Sequence, residues 1–372
     1  DGKVITDNLD TTNTLDSITV SGCTLNPVFN SATTEYSCKV PNSVSSVTVN
    51  ATATSSKSKV RGLGIKSLSV GVNTLPIRVI AEDGSKKNYN IKVTRKDVSE
   101  NVSIFGKTYQ TTGDFPTLTT SSNNSQDDNG LYKSTDTNSG KPTYYFRGNV
   151  ENNYVSFAGF TWRIVRINED GTIRIVMQDG INSNARYKFN SKYNNYTYMY
   201  YTNSQVKSSL ESWYQTNIGS KADLAKTVAS GNYYCEQAKV KYTSSYTASS
   251  ANMIVYDNYM PDFKCASDGN GKGVVNASIG LLSYDESVYA GMYFGEKNES
   301  SYLYSNYPYW LISPGGLSFD NYANAWSIDI KYGSLIPHAV SDSYILKPII
   351  NFKSDINILS GDGTKSNPFV VE

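Results

Sequence analysis

The sequence has few charged residues and no excess of either sign. Lys and Arg number 34, Asp and Glu number 33, and these types make up 18% of the 372 residues, below the roughly 25% of an average soluble domain. A nucleic-acid-binding protein needs a basic surface to neutralise phosphates, and a polybasic membrane-surface protein needs a similar excess of cations. The composition therefore disfavours both classes.

Residues suited to catalysis or metal binding are also scarce. The one histidine, His338, has no accompanying Gly-x-Ser-x-Gly nucleophile elbow, and none of the four cysteines stands in a Cys-x-x-Cys pair. The sequence therefore predicts no metal site, no cofactor and no enzyme. A carbohydrate-active enzyme stays open as a weaker alternative, because the paired carboxylates of glycosidases can be distant in sequence.

Long apolar runs are missing as well. No stretch approaches the ~20 apolar residues that span a bilayer, so we expect no membrane span within the chain, and any anchor to lie outside it. The cysteines form two sequence-close pairs, Cys23 with Cys38 and Cys235 with Cys265. Two disulfides would indicate an extracellular, cell-surface protein, whereas four buried thiols are the alternative. The Cys23–Cys38 loop closure should stabilise the fold by about 3 kcal/mol.

The residues that are abundant are Ser, Thr, Asn and 30 tyrosines, arranged in short alternating segments. Residues 1–13 are polar and predict an N-terminal tail. From residue 14 to residue 96, alternating runs of a few residues are separated by turn signals such as Glu82-Asp83-Gly84-Ser85. Short strands at this spacing predict an Ig-like β-sandwich.

Four runs carry a family resemblance in this region, and they are LDSITVSG (15–22), TLNPVFNSATTEYSCKVP (24–41), VSSVTVNATA (44–53) and LSVGVNTLPIRVIAEDGSKKNYNIKVTR (68–95). Together they resemble the cadherin-like β-sandwich domain of bacterial surface proteins. The resemblance implies that this segment is a spacer between other modules. Cys23 and Cys38 are departures from the family, which usually has small or polar residues there.

The sequence patterns of residues 97–372 predict a larger α+β domain. Asp170-Gly171 between two apolar alternating runs predicts a β-hairpin. Residues 204–218 have the apolar spacing of a helix, and Ser204 can cap its first turn. Ser283 and Glu286 have the spacing of a capping box. With the sandwich before it, the chain is predicted to be mostly β.

This region contains a second set of motifs, in the order GLYKSTDTNSGKPTYYFRGNV, SLESWYQTNI, YYCEQAKVK, IGLLSYDESVYAG, YWLISPGG and KPIINFKSDINILSGDGTKSNPFVV. The set resembles an uncharacterised module of secreted and surface proteins from Gram-positive gut bacteria. Its closing part is similar in plan to C-type-lectin-like folds. In that family the positions of Cys235 and Cys265 occur together, which implies a second disulfide. Lys347 stands where the family usually has arginine.

Two aromatic clusters are candidates for ligand binding. The first contains Tyr193, Tyr196, Tyr198, Tyr200 and Tyr201, and the second Tyr302, Tyr304, Tyr307, Tyr309 and Trp310. Such side chains stack on sugars or form protein contacts, or else they pack the interior. Because a C-type-lectin-like plan implies a ligand site in the loops of the last third, the predicted site residues are Tyr307, Tyr309, Asp320, Asn321, Tyr322 and Asn324.

These features favour a bacterial adhesin or display protein. The sandwich is then the spacer, and the C-terminal domain binds a protein or glycan on a host or neighbouring cell. The alternative is a self-assembling subunit of a surface filament or layer that binds copies of itself. Near-zero net charge and a tyrosine-rich surface permit such self-association.

Overall fold

The computed structural model describes residues 9–42, 44–96, 100–114, 129–237, 261–266, 272–292, 298–318, 322–329 and 334–371. The chain is mostly β and divides into two compact units, Asp1–Glu100 (unit 1) and Asn101–Glu372 (unit 2). Among the described residues, no helix has the length and apolar character that crossing a membrane requires.

Unit 1 is the predicted sandwich of two sheets. Its strands are β1 (Leu15–Val20), β2 (Glu35–Val40), β3 (Ser46–Ala53), β4 (Lys59–Arg61), β5 (Gly64–Ser67), β6 (Gly71–Ile80) and β7 (Lys86–Arg95). One sheet has the order β1-β3-β5 and the other β2-β7-β6-β4. In β7, Tyr89, Ile91 and Val93 are fully buried while Lys92 points to solvent. This period of two directs one face of the strand into the core.

The described part of the predicted tail, residues 9–13, is bound to the sandwich. The Asp10 backbone N–H donates to Glu82 Oε2 at 3.0 Å, and its carbonyl accepts from Asp83 N at 3.2 Å. Hydrogen bonds from Ser55 and Thr12 lower the pKa of the Asp10 carboxyl to about 2. These residues of the predicted tail therefore hydrogen-bond to the sandwich, because Asp10 supplies acceptors that loop N–H and O–H groups of the sandwich need.

Unit 2 contains the remaining described elements. Its strands are β8 (Asn101–Ile104), β9 (Lys107–Asp114), β10 (Gly130–Ser134), β11 (Thr143–Arg147), β12 (Tyr154–Phe157), β13 (Phe160–Ile167), β14 (Ile173–Met177), β15 (Arg186–Lys188), β16 (Tyr233–Cys235), β17 (Val274–Asn276), β18 (Tyr309–Leu317), β19 (Ala323–Asp329), β20 (Ser334–Ala339), β21 (Ser343–Ile345), β22 (Ile349–Phe352), β23 (Ile358–Ser360) and β24 (Phe369–Val371). Its α-helices are α1 (Gln205–Tyr214), α2 (Ala222–Ala225) and α3 (Tyr284–Tyr289). Single helical turns lie at Ile181–Asn184, Tyr196–Met199, Tyr201–Asn203 and Gln215–Gly219.

The largest sheet of unit 2 is organised around β13. Its described path is β23-β24-β12-β13-β11-β10-β9-β8, and β14 pairs with both β13 and β22. A second sheet has the order β15-β21-β18-β19-β20, and β16 pairs with β17. Ile167 pairs with Ile173 across the predicted hairpin, and Gly171 in its turn has a φ of +85°, a conformation that favours glycine.

Both predicted helix starts are present. Ser204 accepts from Lys207 N at the start of α1, and Leu210 and Trp213 are buried on its inner face. Ser283 and Glu286 form the capping box at the start of α3.

Glu286 also belongs to a buried ion cluster that ties α3 to the sheet. Its Oε1 atom lies 3.0 Å from Nε of Arg166 in β13 and also accepts from Arg174 in β14. The three side chains are only 4–5% exposed. Burial alone would raise the pKa of Glu286, but the guanidiniums of Arg174 and Arg166 lower it to about 2. The cluster is therefore ionised in the folded protein.

Both predicted disulfides are present, one in each unit: Cys23–Cys38 and Cys235–Cys265. The second connects β16 to the segment that carries Phe263. The Phe263 ring stacks on Tyr289 with centroids 4.2 Å apart, and the Arg166 guanidinium lies 4.8 Å from the Phe263 centroid. This disulfide therefore holds an aromatic cover over one side of the ion cluster.

Candidate functional site

A groove of about 650 Å³ opens on unit 2. The residues around it come from β12 and the segment before it, from β13, from the residue after β14, from the segment before β18 and from the loop between β23 and β24. Its lining combines tyrosine rings with hydroxyl, amide and charged groups, and so has the apolar faces and convergent polar groups that characterise ligand sites.

Arg163 of β13 lies in the lining of this groove and is 4% exposed. Its Nε donates to Asn153 Oδ1 at 2.6 Å, its Nη1 to Gln178 Oε1 at 3.4 Å, and its Nη2 to the Val150 carbonyl oxygen. Each of these acceptors is neutral. The acceptors fix the plane of the guanidinium without cancelling its charge.

Two tyrosine rings contact the Arg163 guanidinium. Tyr154 stands directly opposite Arg163 in the antiparallel β12–β13 pair, and its ring centroid is 3.8 Å from Arg163 Cζ. The Tyr302 centroid is 5.3 Å from the same atom. A cation over an aromatic face is attracted by the ring quadrupole, and the attraction grows when the pair is desolvated. The backbone register therefore builds this cation–π contact.

Arg163 differs from two other buried arginines, Arg166 and Arg174, in the partners of its charge. Arg166 and Arg174 share the Glu286 carboxylate, whereas no carboxylate among the described residues pairs with Arg163. Burial lowers the pKa of Arg163, although an arginine stays protonated. The region near the groove floor is therefore positive.

A second buried basic group, Lys347, interacts electrostatically with Arg163. Lys347 is 2% exposed, and its Nζ lies 4.7 Å from the Tyr309 ring centroid. Burial lowers its pKa to about 7; repulsion by Arg163 acts in the same direction, and attraction by Asp179 opposes it. An ammonium group here is destabilised unless negative charge approaches.

The rim of the groove carries groups of both signs. Glu151, Glu299 and Lys365 are exposed lining residues, and the Tyr304 hydroxyl donates to Glu299 Oε1 at 3.4 Å. Deeper in the groove, the hydroxyl oxygen of Tyr302 is buried and has no hydrogen-bond partner in the described part of the chain.

The loop that supplies Lys365 is held in place by its backbone. The Gly363 carbonyl oxygen accepts from Tyr154 N at 2.8 Å, which joins the loop to β12. Gly363 has a φ of +82°, and a Cβ there would lie 2.6 Å from the Asn152 carbonyl oxygen and 2.5 Å from the Phe369 ring. Glycine is required by both the conformation and the close approach.

The structure separates the six predicted site residues. Tyr322 is 40% exposed, its ring centroid lies 4.8 Å from that of Tyr193, and its carbonyl oxygen accepts from Asn324 Nδ2 at 3.1 Å. Tyr307 is 44% exposed. Asp320 and Asn321 lie outside the described residues.

Tyr309 was wrongly expected to reach a ligand. Its side chain is 1% exposed, and its hydroxyl donates to the Leu303 carbonyl oxygen at 2.8 Å inside the core. Every residue of β18 from Tyr309 to Gly316 is buried, so neither face of this part of the strand is available.

Most members of the two aromatic clusters also pack the interior. Tyr200, Tyr201 and Trp310 are fully buried, and Tyr196 and Tyr198 pack partly buried against the core. Tyr302 and Tyr304 of the second cluster line the groove.

Sequence reasoning missed Arg163, Tyr154, Gln178 and Lys365 as site residues. One signal was available, because arginines interrupt the otherwise apolar and aromatic run of β13, and charged side chains are rarely buried unless they are paired. That signal would have indicated Arg163 and Arg166 equally as candidate site residues. Only the position of Glu286 in three dimensions separates the paired arginine from the one in the groove.

Comparison with known proteins bears on unit 1 alone. Residues 15–96 match the family model of the cadherin-like beta sandwich domain, in agreement with the two sheets described above. No curated protein and no solved structure matches the chain.

Proposed function

We propose that this chain is an extracellular bacterial adhesin or display protein, with unit 1 as a spacer and unit 2 as the binding module. The observation that carries the proposal is the groove of unit 2, where tyrosine rings, amides, hydroxyls and the Arg163 guanidinium converge. The cadherin-like match of residues 15–96 and a disulfide in each unit support a cell-surface location.

The lining favours a glycan on a host or neighbouring cell as the ligand. Tyrosine rings offer apolar faces to the C–H groups of a sugar, while Gln178, Ser300 and Thr364 offer hydrogen bonds to its hydroxyls. The proposed role is binding without turnover.

Replacing Tyr304 with alanine should weaken binding of the full chain to its target cells or glycans about tenfold. The ring is partly exposed at the rim, so its loss removes ligand contact while the core stays intact. Aromatic anchors at binding surfaces commonly contribute more than about 1 kcal/mol each. The assay is a glycan array combined with quantitative cell binding.

Tyr307→Ala is the matched control, because Tyr307 is an exposed tyrosine in the same segment that does not line the groove. We expect it to bind like the wild type. If Tyr307→Ala abolished binding and Tyr304→Ala did not, the ligand would bind at the exposed segment that carries Tyr307 and not in the groove. Failure of the wild-type chain to bind any glycan or cell would contradict the proposal as a whole.

Exposed apolar side chains on unit 1 favour a self-assembling surface subunit as the second candidate. Val28 is 83% exposed, Ile65 75% and Val72 68%. Exposed apolar groups promote association between copies when the net charge is near zero. Sedimentation velocity over a wide concentration range separates the two candidates, since a filament subunit forms larger species and an adhesin of the proposed kind does not require them.

A further inference from the structure

We infer that the groove of unit 2 binds a saccharide that carries a carboxylate, and that Arg163 recognises this carboxylate. The inference rests on the proposed function and names the ligand class of the same site. Three observations support it: the uncompensated charge of Arg163, the signs of the charges at the rim, and the hydroxyl and aromatic content of the walls.

The first observation is the charge of Arg163. A buried cation without a counter-charge is costly, and structures normally compensate it as Glu286 compensates Arg166 and Arg174. Arg163 has only neutral acceptors among the described residues, yet it lines a groove that a ligand can enter. A planar guanidinium pairs well with a carboxylate, so an acidic ligand would supply the missing charge.

The second observation limits the charge of the ligand. Glu151 and Glu299 are exposed at the rim, and Lys365 provides one cation there. The exposed Glu151 carboxylate repels a dense polyanion such as a sulfated polymer or a nucleic acid, and rim carboxylates can accept hydrogen bonds from sugar hydroxyls. A ligand with one carboxylate near Arg163 and hydroxyl groups toward the rim is complementary to both the buried part and the rim of the groove.

The third observation is the pairing of flat rings with hydroxyls and amides. Tyr154 and Tyr302 flank the guanidinium, and Ser300, Ser301 and Thr364 lie on the walls. A sugar ring presents C–H groups and several alcohol hydroxyls together, whereas a simple carboxylic acid such as acetate has no alcohol hydroxyl. The walls therefore favour an acidic sugar over a small organic acid.

The test titrates the full chain with four monosaccharides by saturation-transfer NMR. Glucuronate and N-acetylneuraminate carry the carboxylate, and glucose and N-acetylglucosamine are neutral sugars for comparison. Uronic and sialic acids are separate sources of the same group, so the two acids are compared with each other. We expect at least one acid to bind about tenfold more tightly than the neutral sugars.

Lys365→Glu should weaken binding of that acid about threefold more than it weakens binding of the neutral sugars, because an exposed rim charge acts on a charged ligand mainly through long-range attraction. Lys353→Glu is the control, since Lys353 is exposed, lies outside the groove lining and undergoes the same charge reversal. Arg163→Gln should remove the preference for the acid. If that variant does not fold, Lys365→Glu still decides the question.

The outcomes separate the two proposals. If the wild type bound acidic and neutral sugars equally well, and Tyr304→Ala lost binding to both kinds, the inference would be overturned. The proposed glycan-binding function would be retained. A preference for the acid that persists unchanged in Lys365→Glu and in Arg163→Gln would place carboxylate recognition elsewhere and would also overturn the inference. Absence of binding to any glycan or cell would overturn the proposed function itself.

Discussion

Replacing Glu286 with glutamine is expected to destabilise unit 2 by about 3–5 kcal/mol, the range found when one partner of a buried ion pair is removed. The substitution keeps the shape of the side chain but leaves Arg166 and Arg174 buried beside each other without a counter-charge. The capping box of α3 also loses its carboxylate, which accepts from Ser283 N at 3.1 Å.

Tryptophan fluorescence during urea unfolding measures this effect. The sequence has 4 tryptophans, and all of them, Trp162, Trp213, Trp310 and Trp326, lie in unit 2. The fluorescence midpoint therefore follows unit 2 without a contribution from tryptophans of unit 1.

Glu211→Gln is the matched control. Glu211 pairs with Lys207 at 2.5 Å on the surface of α1, where the two side chains are 44% and 25% exposed. Solvent screening limits such a pair to about 0.5 kcal/mol. Equal destabilisation by Glu286→Gln and Glu211→Gln would show that the buried cluster contributes no more than an ordinary surface pair.

The same cluster makes unit 2 acid-sensitive. The pKa of Glu286 is lowered from 4.5 to about 2 in the folded chain, so the unfolded state takes up this proton first as the pH falls. The stabilisation is complete above pH 4.5 and is lost progressively toward pH 2. Glu286→Gln should show a weaker decline over this range, and parallel pH profiles for the two proteins would contradict the assignment.

Local sequence patterns predicted the strands, helix starts and turns that depend on interactions between residues close in sequence. The alternation of Tyr89, Ile91 and Val93 predicted β7 because a strand with one buried face needs a period of two. Ser204 predicted the start of α1 because its side chain supplies an acceptor to the first turn. Asp170-Gly171 predicted the hairpin because glycine adopts the positive φ that its turn requires.

The groove could not be predicted in the same way, because distant strand pairings assemble it. The parallel pair of β12 with β24, in which Val155 stands opposite Phe369, brings the Lys365 loop beside Tyr154. No periodicity in either segment specifies that pairing. The sequence therefore indicates what each strand buries, but the partner strand decides which side chains share a site.

Whether a given tyrosine is buried or exposed could not be predicted from the sequence, for a different reason. Its ring suits a buried strand and its hydroxyl suits a wet surface, so an alternating tyrosine segment fits both. Tyr307 and Tyr309 are two residues apart, yet one is 44% exposed and the other 1%. The Tyr309 side chain projects into the core, where Lys347 Nζ lies 4.7 Å from its ring centroid and its hydroxyl donates to the Leu303 carbonyl oxygen.

Removing the Cys235–Cys265 disulfide, by the double substitution Cys235→Ala and Cys265→Ala, is expected to cost unit 2 about 4 kcal/mol. On the chain-entropy model, a cross-link over a sequence separation of 30 restricts the unfolded chain by roughly this amount. The bond also positions Phe263 against Tyr289 and beside Arg166, so its loss weakens the cover of the ion cluster.

The matched comparison is Cys23→Ala with Cys38→Ala, which opens the shorter loop in unit 1. The urea concentration at the midpoint of the tryptophan fluorescence transition should fall for the Cys235 and Cys265 variant. It should stay unchanged for the Cys23 and Cys38 variant, since the fluorescence comes from unit 2. Combining the Cys235 and Cys265 substitutions with Glu286→Gln should cost less than the sum of the separate losses, because both act on Arg166. Strict additivity would show that the disulfide acts only through the unfolded chain and that Phe263 does not support the cluster.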